Sequence, residues 1–155
     1  MKRKLIAGDC FFIPIENQKF AVGQIVNIEN AALNSVVCAF FDVEMSSHRA
    51  IEVQNYNVIS VQFVTKDLLA SGKWKVFTNT KPVDVHQFLN LEKLKKANFV
   101  GVKVIGSGII IKFLNAFYGM FPWDHFHDPE YLDKLLVSSK LKPTQRLIFK
   151  EKGIN

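Results

Sequence analysis

Residues 8–28 read GDCFFIPIENQKFAVGQIVNI and leave the chain few ways to fold. Phe11, Ile13 and Ile15 alternate with Phe12, Pro14 and Glu16, the period of a strand with two different faces. Asn17 and Gln18 tolerate a turn. Phe20, Val22, Gln24, Val26 and Ile28 then share one side, against Ala21, Gly23, Ile25 and Asn27. Two such runs with so short a polar gap can do little except reverse, so the stretch predicts an antiparallel hairpin entered through a turn at Gly8-Asp9. Pro14 has no N–H for a ladder, which puts it on an edge or at a bulge. Gly23 in mid-strand marks a bulge or a close backbone approach.

The rest of the chain adds short elements to this hairpin. Ser35–Glu44 is β-branched and aromatic on both sides and reads as a central third strand. Ile51–Gln54 is a further short strand. Val58–Thr65 alternates, with Ile59, Val61 and Phe63 inward. Lys66–Ser71 is a short helical turn or loop that ends at Gly72, and Trp74–Thr78 is another strand. Leu91–Ala97 is charged and weakly helical. Gly101–Ile105 and Ile109–Asn115 read as two strands reversing at Gly106-Ser107-Gly108. An aromatic turn with Pro122 leads to Asp128 as a helix cap and Pro129 as the first helical residue. Tyr131, Leu132, Leu135 and Leu136 follow at helical spacing. Leu147, Ile148 and Phe149 offer a last short strand. The fold class expected is mainly β (α+β): a strongly curved antiparallel sheet or small barrel with a C-terminal helix packed on it. Residues 1–155 form a single domain with a basic tail from about residue 139.

Fourteen phenylalanines in 155 residues supply an ample core. A domain of this length buries roughly 70% of its unfolded surface, so it needs neither metal nor disulfide to fold. Cys10 and Cys38 accordingly read as buried free thiols of a reducing cytoplasm, although sequence does not give their separation. The start, MKRKLIAGDC, imitates a lipoprotein signal. Its apolar stretch is too short, Asp9 charges the position beside Cys10, and the small-residue cleavage pattern is missing. No run approaches the ~18 apolar residues of a membrane helix. The expectation is a soluble, cytoplasmic protein with no membrane partner.

Reactive constellations are few. Asp124, His125, His127 and Asp128 have metal-ligand chemistry, but Asp128 is spoken for as a cap and Trp123 and Phe126 make the stretch an aromatic turn. G-x-S-x-G, a Walker loop, a dinucleotide fingerprint and H-E-x-x-H are all missing, and thiols in apolar surroundings are inert. No enzyme, cofactor or metal is expected. The formal charge of +6 is uneven: residues 1–65 carry five basic and six acidic residues, and residues 66–155 carry fifteen and eight. Lysines interleaved with Trp74, Phe77, Phe113, Phe117, Tyr118, Phe121 and Trp123 make a nucleic-acid-binding β-domain the alternative reading. Seventeen lysines to three arginines weigh against it, because arginine makes the bidentate and stacking contacts.

Gly8, Asp9, Phe11, Ile13, Pro14, Phe20, Ala21, Gly23 and Gln24 resemble the opening of the immunity protein 26 family of bacterial polymorphic-toxin systems. PWDHFHDPEYLDKLL (122–136) is similar to that family's Trp-containing turn and Asp-Pro-x-Tyr helix start. The resemblance implies a non-catalytic immunity protein that binds a cognate toxin domain and neutralises it by stoichiometric occlusion. Tight binding of that kind uses a few aromatic anchors within complementary charge. Tyr56, Trp74, Tyr118 and Trp123 are the candidate anchors. Asp42, Glu44 and Glu52, around the Met45–Ala50 loop, are the candidate contacts for a basic toxin. Gly8, Asp9, Pro14, Gly23, Pro122, Asp128 and Pro129 are assigned structural roles.

Overall fold

The computed structural model describes residues 4–29 and 35–148. Six strands form one sheet: β1 (Asp9–Ile15), β2 (Lys19–Glu29), β3 (Ser35–Phe41), β4 (Val58–Thr65), β5 (Lys75–Asn79) and β6 (Val104–Ile105), in the order β5-β1-β2-β3-β4-β6. Every neighbouring pair is antiparallel except β4 and β6, which run parallel. The helices are α1 (Asp67–Ser71), α2 (Leu91–Lys96) and α3 (Ser107–Phe117). β5 and β6 are the two edges of the sheet, so it is open, and it is not strongly curled. The expected barrel or strongly curved sheet is therefore corrected to an open, mixed, mostly antiparallel sheet.

The β1–β2 hairpin forms as the alternation requires, with Cys10 opposite Gln24 and Ile15 opposite Lys19. A 3-10 turn, Glu16–Gln18, joins the strands, and Asn17 and Gln18 both adopt left-handed backbone angles (φ 59° and 57°). Pro14 lies past Phe12, the last β1 residue that pairs with β5, so its missing N–H faces no partner strand. Gly23 is a close approach rather than a bulge: a Cβ there would lie 2.7 Å from the Phe11 ring and 3.1 Å from the Phe40 ring. The bulge falls two residues later, between Ile25 and Asn27, and it turns Ile28 to the face opposite Phe20, Val22 and Val26.

Both faces of the sheet are covered. On the first, Phe11, Ile13, Ala21, Ile25, Cys38 and Phe40 pack beneath α3, whose Ile110, Phe113 and Leu114 are fully buried. On the second, Phe12, Val22, Val37, Ala39, Phe41, Val61 and Phe63 pack beneath residues 83–104, which contribute Val85, Leu89, Leu91, Leu94, Phe99 and Val102. Ile59, Val61 and Phe63 do not share a face. A bulge opposite Phe40 and Phe41 turns Ile59 to the first face and leaves Val61 and Phe63 on the second.

The second half departs from the sequence expectation. Ile109–Asn115 is helix, not strand, and Gly106-Ser107-Gly108 opens α3 instead of reversing a hairpin. Ile110, Phe113, Leu114 and Phe117 recur at helical spacing, which overrides the β preference of three successive isoleucines. The predicted strand Gly101–Ile105 contracts to β6. Ile51–Gln54 gives way to a 3-10 turn at Val53–Asn55. The C-terminal helix is only a 3-10 turn, Tyr131–Leu135, capped at Glu130, so neither Asp128 nor Pro129 takes the helical position expected of it. Asp128 instead accepts the Glu130 N–H at 3.0 Å. The sheet claims the chain immediately afterwards: the Ile59 carbonyl, displaced by its bulge, accepts the Val137 N–H at 2.9 Å, and Ser60 Oγ donates to the Leu135 carbonyl at 2.6 Å. Leu147 and Ile148 form no strand. The Leu147 carbonyl accepts the Trp123 N–H, beside Pro122 in the aromatic turn, at 2.8 Å, and Phe149 lies outside the described residues.

Candidate partner-binding surface

The Gly-Asp and Gly-Gln pairs of the hairpin form a buried polar knot. Gly8 takes φ 96°, and a Cβ on it would collide with the Thr80 carbonyl. Its N–H donates to Ile25 O at 2.7 Å, and its carbonyl accepts from Thr80 N at 3.1 Å and from Gln24 Nε2 at 3.3 Å. Gln24 also donates to Thr80 O and Lys81 O, and its Oε1 accepts the Val83 N–H at 3.0 Å. Asp9, fully buried, accepts from Ile6 N and from Asn79 Nδ2. These side chains are consumed in tying the segment after β5 to the hairpin. They position the surface and do not belong to it.

Two of the four candidate anchors are core. Trp74, 1% exposed, stacks on Phe11 at 5.5 Å, and its indole N–H is buried without a hydrogen-bond partner among the described residues. Trp123, 2% exposed, donates to Asp133 Oδ1 at 2.6 Å. Neither leaves side-chain area for a partner. Tyr56 is half-buried and lines a cleft of about 430 Å³ with Phe88, Val137 and Leu141. Tyr118 is half-buried at the end of α3 and donates to Phe41 O at 3.4 Å. Burial, reinforced by the charge of Asp42, pushes its phenol well above the usual range.

The acidic candidates divide. Asp42 and Glu44 are exposed on the strand-exit loop beside Tyr118. One helical turn back on α3, Asn115 accepts the Glu16 N–H at 2.7 Å, which brings exposed Glu16 to the same edge. Glu52 is exposed just before the 3-10 turn Val53–Asn55. Sequence reasoning missed Glu16, because only the fold of α3 onto the β1–β2 turn ties it to Asn115.

Groups with reactive chemistry are held in structural roles. Ser107, at the start of α3, donates to both oxygens of Asp67, and Thr65 donates to the same carboxylate at 2.8 Å. Burial pushes the Asp67 carboxyl up, but these hydroxyls outweigh it and hold it below its usual value. No histidine enters this network. Cys10 and Cys38 are free, buried, and on opposite faces of the sheet; burial pushes both thiols up. His125 packs on Phe121 and Phe126, and Asp128 pairs with Lys134 at 2.8 Å. Among the described residues no group of three or more His, Cys, Asp or Glu side chains could hold a metal ion, and no helix is long and apolar enough to cross a membrane.

Of the aromatic residues set among the lysines of the basic second half, Phe117, Tyr118 and Phe121 are half-buried, and Lys112 Nζ lies 5.8 Å from the Phe126 ring centroid. Trp74, Phe113 and Trp123 are buried, and Phe77 stacks on Phe12 at 4.1 Å. On α2 and the turn after it Lys93, Lys95, Lys96 and Lys103 are all exposed, as are Lys73, Lys75, Lys81, Lys112 and Lys140 elsewhere.

The sequence profile described as Immunity protein 26 matches residues 6–87, more than half of the chain, spanning β1 to β5 and the Gln24 knot. No curated protein and no solved structure matches the chain. Membership of such a family implies neutralisation of a toxin, and immunity families are generally non-catalytic inhibitors. The chain belongs to the immunity protein 26 family.

Proposed function

We propose that the protein binds the toxin domain it is paired with and blocks it stoichiometrically, without chemistry of its own. The family match carries this reading. The site geometry agrees with it: the network of Asp67 with Thr65 and Ser107 is a helix-start brace with no base or activated nucleophile among the described residues, and the thiols are buried with their reactivity suppressed. Inhibition by occlusion needs only a rigid surface of matching shape and charge. A sheet packed on both faces and a hairpin locked by Gln24 supply that rigidity.

Of the residues picked from the sequence, Asp42, Glu44, Glu52, Tyr56 and Tyr118 remain accessible in whole or part. They are too few and too divided to neutralise a strongly basic toxin cleft, so the principal contact is sought elsewhere on the molecule. The nucleic-acid alternative needs exposed rings for stacking among its cations. Trp74, Phe113 and Trp123 are spent in the core, and Phe77, Phe117, Tyr118 and Phe121 are half-buried.

The test is a pull-down from the source bacterium with the tagged full chain at moderate salt, with mass spectrometry and nucleic-acid quantitation on one eluate. One stoichiometric partner bearing a toxin domain, whose toxicity co-expression of this chain relieves, is the expected outcome. An eluate of nucleic acid lost steeply with salt contradicts it.

A further inference from the structure

We infer that the segment from Lys93 to Lys103 is the face that docks on an acidic surface of the toxin domain. The inference rests on the neutralisation reading and adds to it the side of the molecule and the chemistry of the partner. Leu91 and Leu94 turn α2 onto the second face of the sheet, half-buried, and Lys93 and Lys96, one turn apart, project on the opposite side. Beyond Ala97 the chain takes left-handed angles at Asn98 (φ 53°), Phe99 (φ 59°) and Gly101 (φ 84°). This turn drives Phe99 inward against Phe63, ring centroids 6.1 Å apart. It leaves Val100 outside at 78% exposure, the highest of the exposed large apolar residues. Val102 returns to the core and Lys103 is exposed beside it.

The result is an exposed apolar residue, Val100, flanked in the chain by four exposed cations, with Glu92 the one carboxylate of α2, the composition of a protein interface with an apolar centre and a charged rim. The bland account is that lysines favour the C-terminal end of a helix and a solvated face. That explains Lys93, Lys95 and Lys96. It does not explain Lys103 or the exposure of Val100. Lys134 and Lys142 have their own carboxylates, Asp128 and Asp133, whereas the four patch lysines, like exposed Lys73, Lys75, Lys81, Lys112 and Lys140, have none among the described residues; what sets the patch apart is that its lysines flank exposed Val100, with Glu92 the one carboxylate of α2. Their charge is available to a partner, and only an acidic surface can take it without repulsion. A nucleic acid fits less well: the patch has no arginine, and its one aromatic, Phe99, is engaged with Phe63. The patch also lies beyond the 6–87 segment that the family profile matches.

The experiment compares the full chain with three folded variants, K93E/K96E/K103E, V100D and D42K/E44K, each checked by thermal melting. The probe is the toxin domain recovered and sequenced from the pull-down above, with binding followed by surface plasmon resonance at roughly 50 and 300 mM salt. The lysine reversal is expected to weaken binding at least about tenfold, mainly through slower association, with the loss shrinking at high salt. V100D is expected to lose about as much through faster dissociation, and D42K/E44K to stay within about twofold. Lysine-reversed and V100D proteins that bind like the parent, or a loss confined to D42K/E44K, overturn this inference and leave the neutralisation reading standing. If no toxin domain is recovered, both fall. If a labelled single strand of about 30 nucleotides binds the parent and not the lysine reversal, the patch is a nucleic-acid surface and the inference is overturned.

Discussion

The Phe11 ring occupies the space that a side chain on Gly23 would need, with its nearest carbon 2.7 Å from where a Cβ would sit. Two adjacent strands therefore pack ring against backbone, and the same ring stacks on Trp74 and meets Phe40 edge-on. Gly23→Ala should lower stability by about 1–3 kcal/mol, because the buried Phe11 ring has nowhere to move. Gly108→Ala is the matched control. Its Cβ would enter open space in the first turn of α3. It should gain up to about 1 kcal/mol from helix propensity. Urea denaturation of the two variants measures both, and equal effects would contradict the packing account.

Gln24 joins the hairpin to the segment after β5 through Gly8, Thr80, Lys81 and Val83. Gln24→Leu keeps most of the volume and removes the acceptor of the Val83 N–H and a donor to Thr80 O, while the Gly8 and Lys81 carbonyls keep the Thr80 N–H and Gln54 Nε2, a cost of about 1–3 kcal/mol. The effect should be local as well as global: amide exchange at Val83 should accelerate more than at Val37 in the centre of β3. A uniform acceleration would mean that Gln24 does not specifically hold that segment.

Asp67 gives the acid response a definite sign. Burial pushes its carboxyl up, the Thr65 and Ser107 hydroxyls outweigh that, and the folded carboxyl ends below its unfolded value. Its contribution to stability is therefore complete above about pH 4, near the unperturbed Asp value, and is lost as pH falls through the lower folded value. Asp67→Asn should melt below the parent at pH 7, and the gap should hold down to about pH 4 and narrow as pH falls further. Thermal melts across that range check it; a gap independent of pH would rule out the titration of Asp67 as the cause.

Cys10 and Cys38 belong to separate clusters on opposite faces. Both should be silent to an aromatic disulfide reagent in the native state and react together on unfolding, and electrophoretic mobility should not change with reductant. Rapid labelling of either thiol in the native protein would contradict its placement.

The hairpin, β3, β4, β5 and the α1 stop at Gly72 were legible because alternation and turn residues are local signals. What failed was non-local. The bulges that turn Ile28 and Ile59 to the other face leave no mark in the alternation. Ile109–Asn115 carried both signals, β-branched content and helical spacing, and burial against β1 chose the second. Tyr131–Leu135 had the helical spacing, but Ile59 and Ser60 claim the backbone from Leu135 to Val137 and end it after one 3-10 turn. At the surface the same limit applies. Nothing in WKVFT or FPWDH distinguishes a core tryptophan from an exposed one. The patch around Val100 depends on Phe99 pointing inward, which only the second face of the sheet decides.

The most direct test of the central claim is a titration of toxin activity with the purified full chain, using the toxin domain recovered with it. Stoichiometric occlusion predicts a linear fall that reaches zero at one equivalent and an isolable one-to-one complex. Inactivation of many equivalents of toxin by a trace of this protein would mean that it acts catalytically, and full toxin activity at an excess of it would mean that the pair is not cognate; either result contradicts the account.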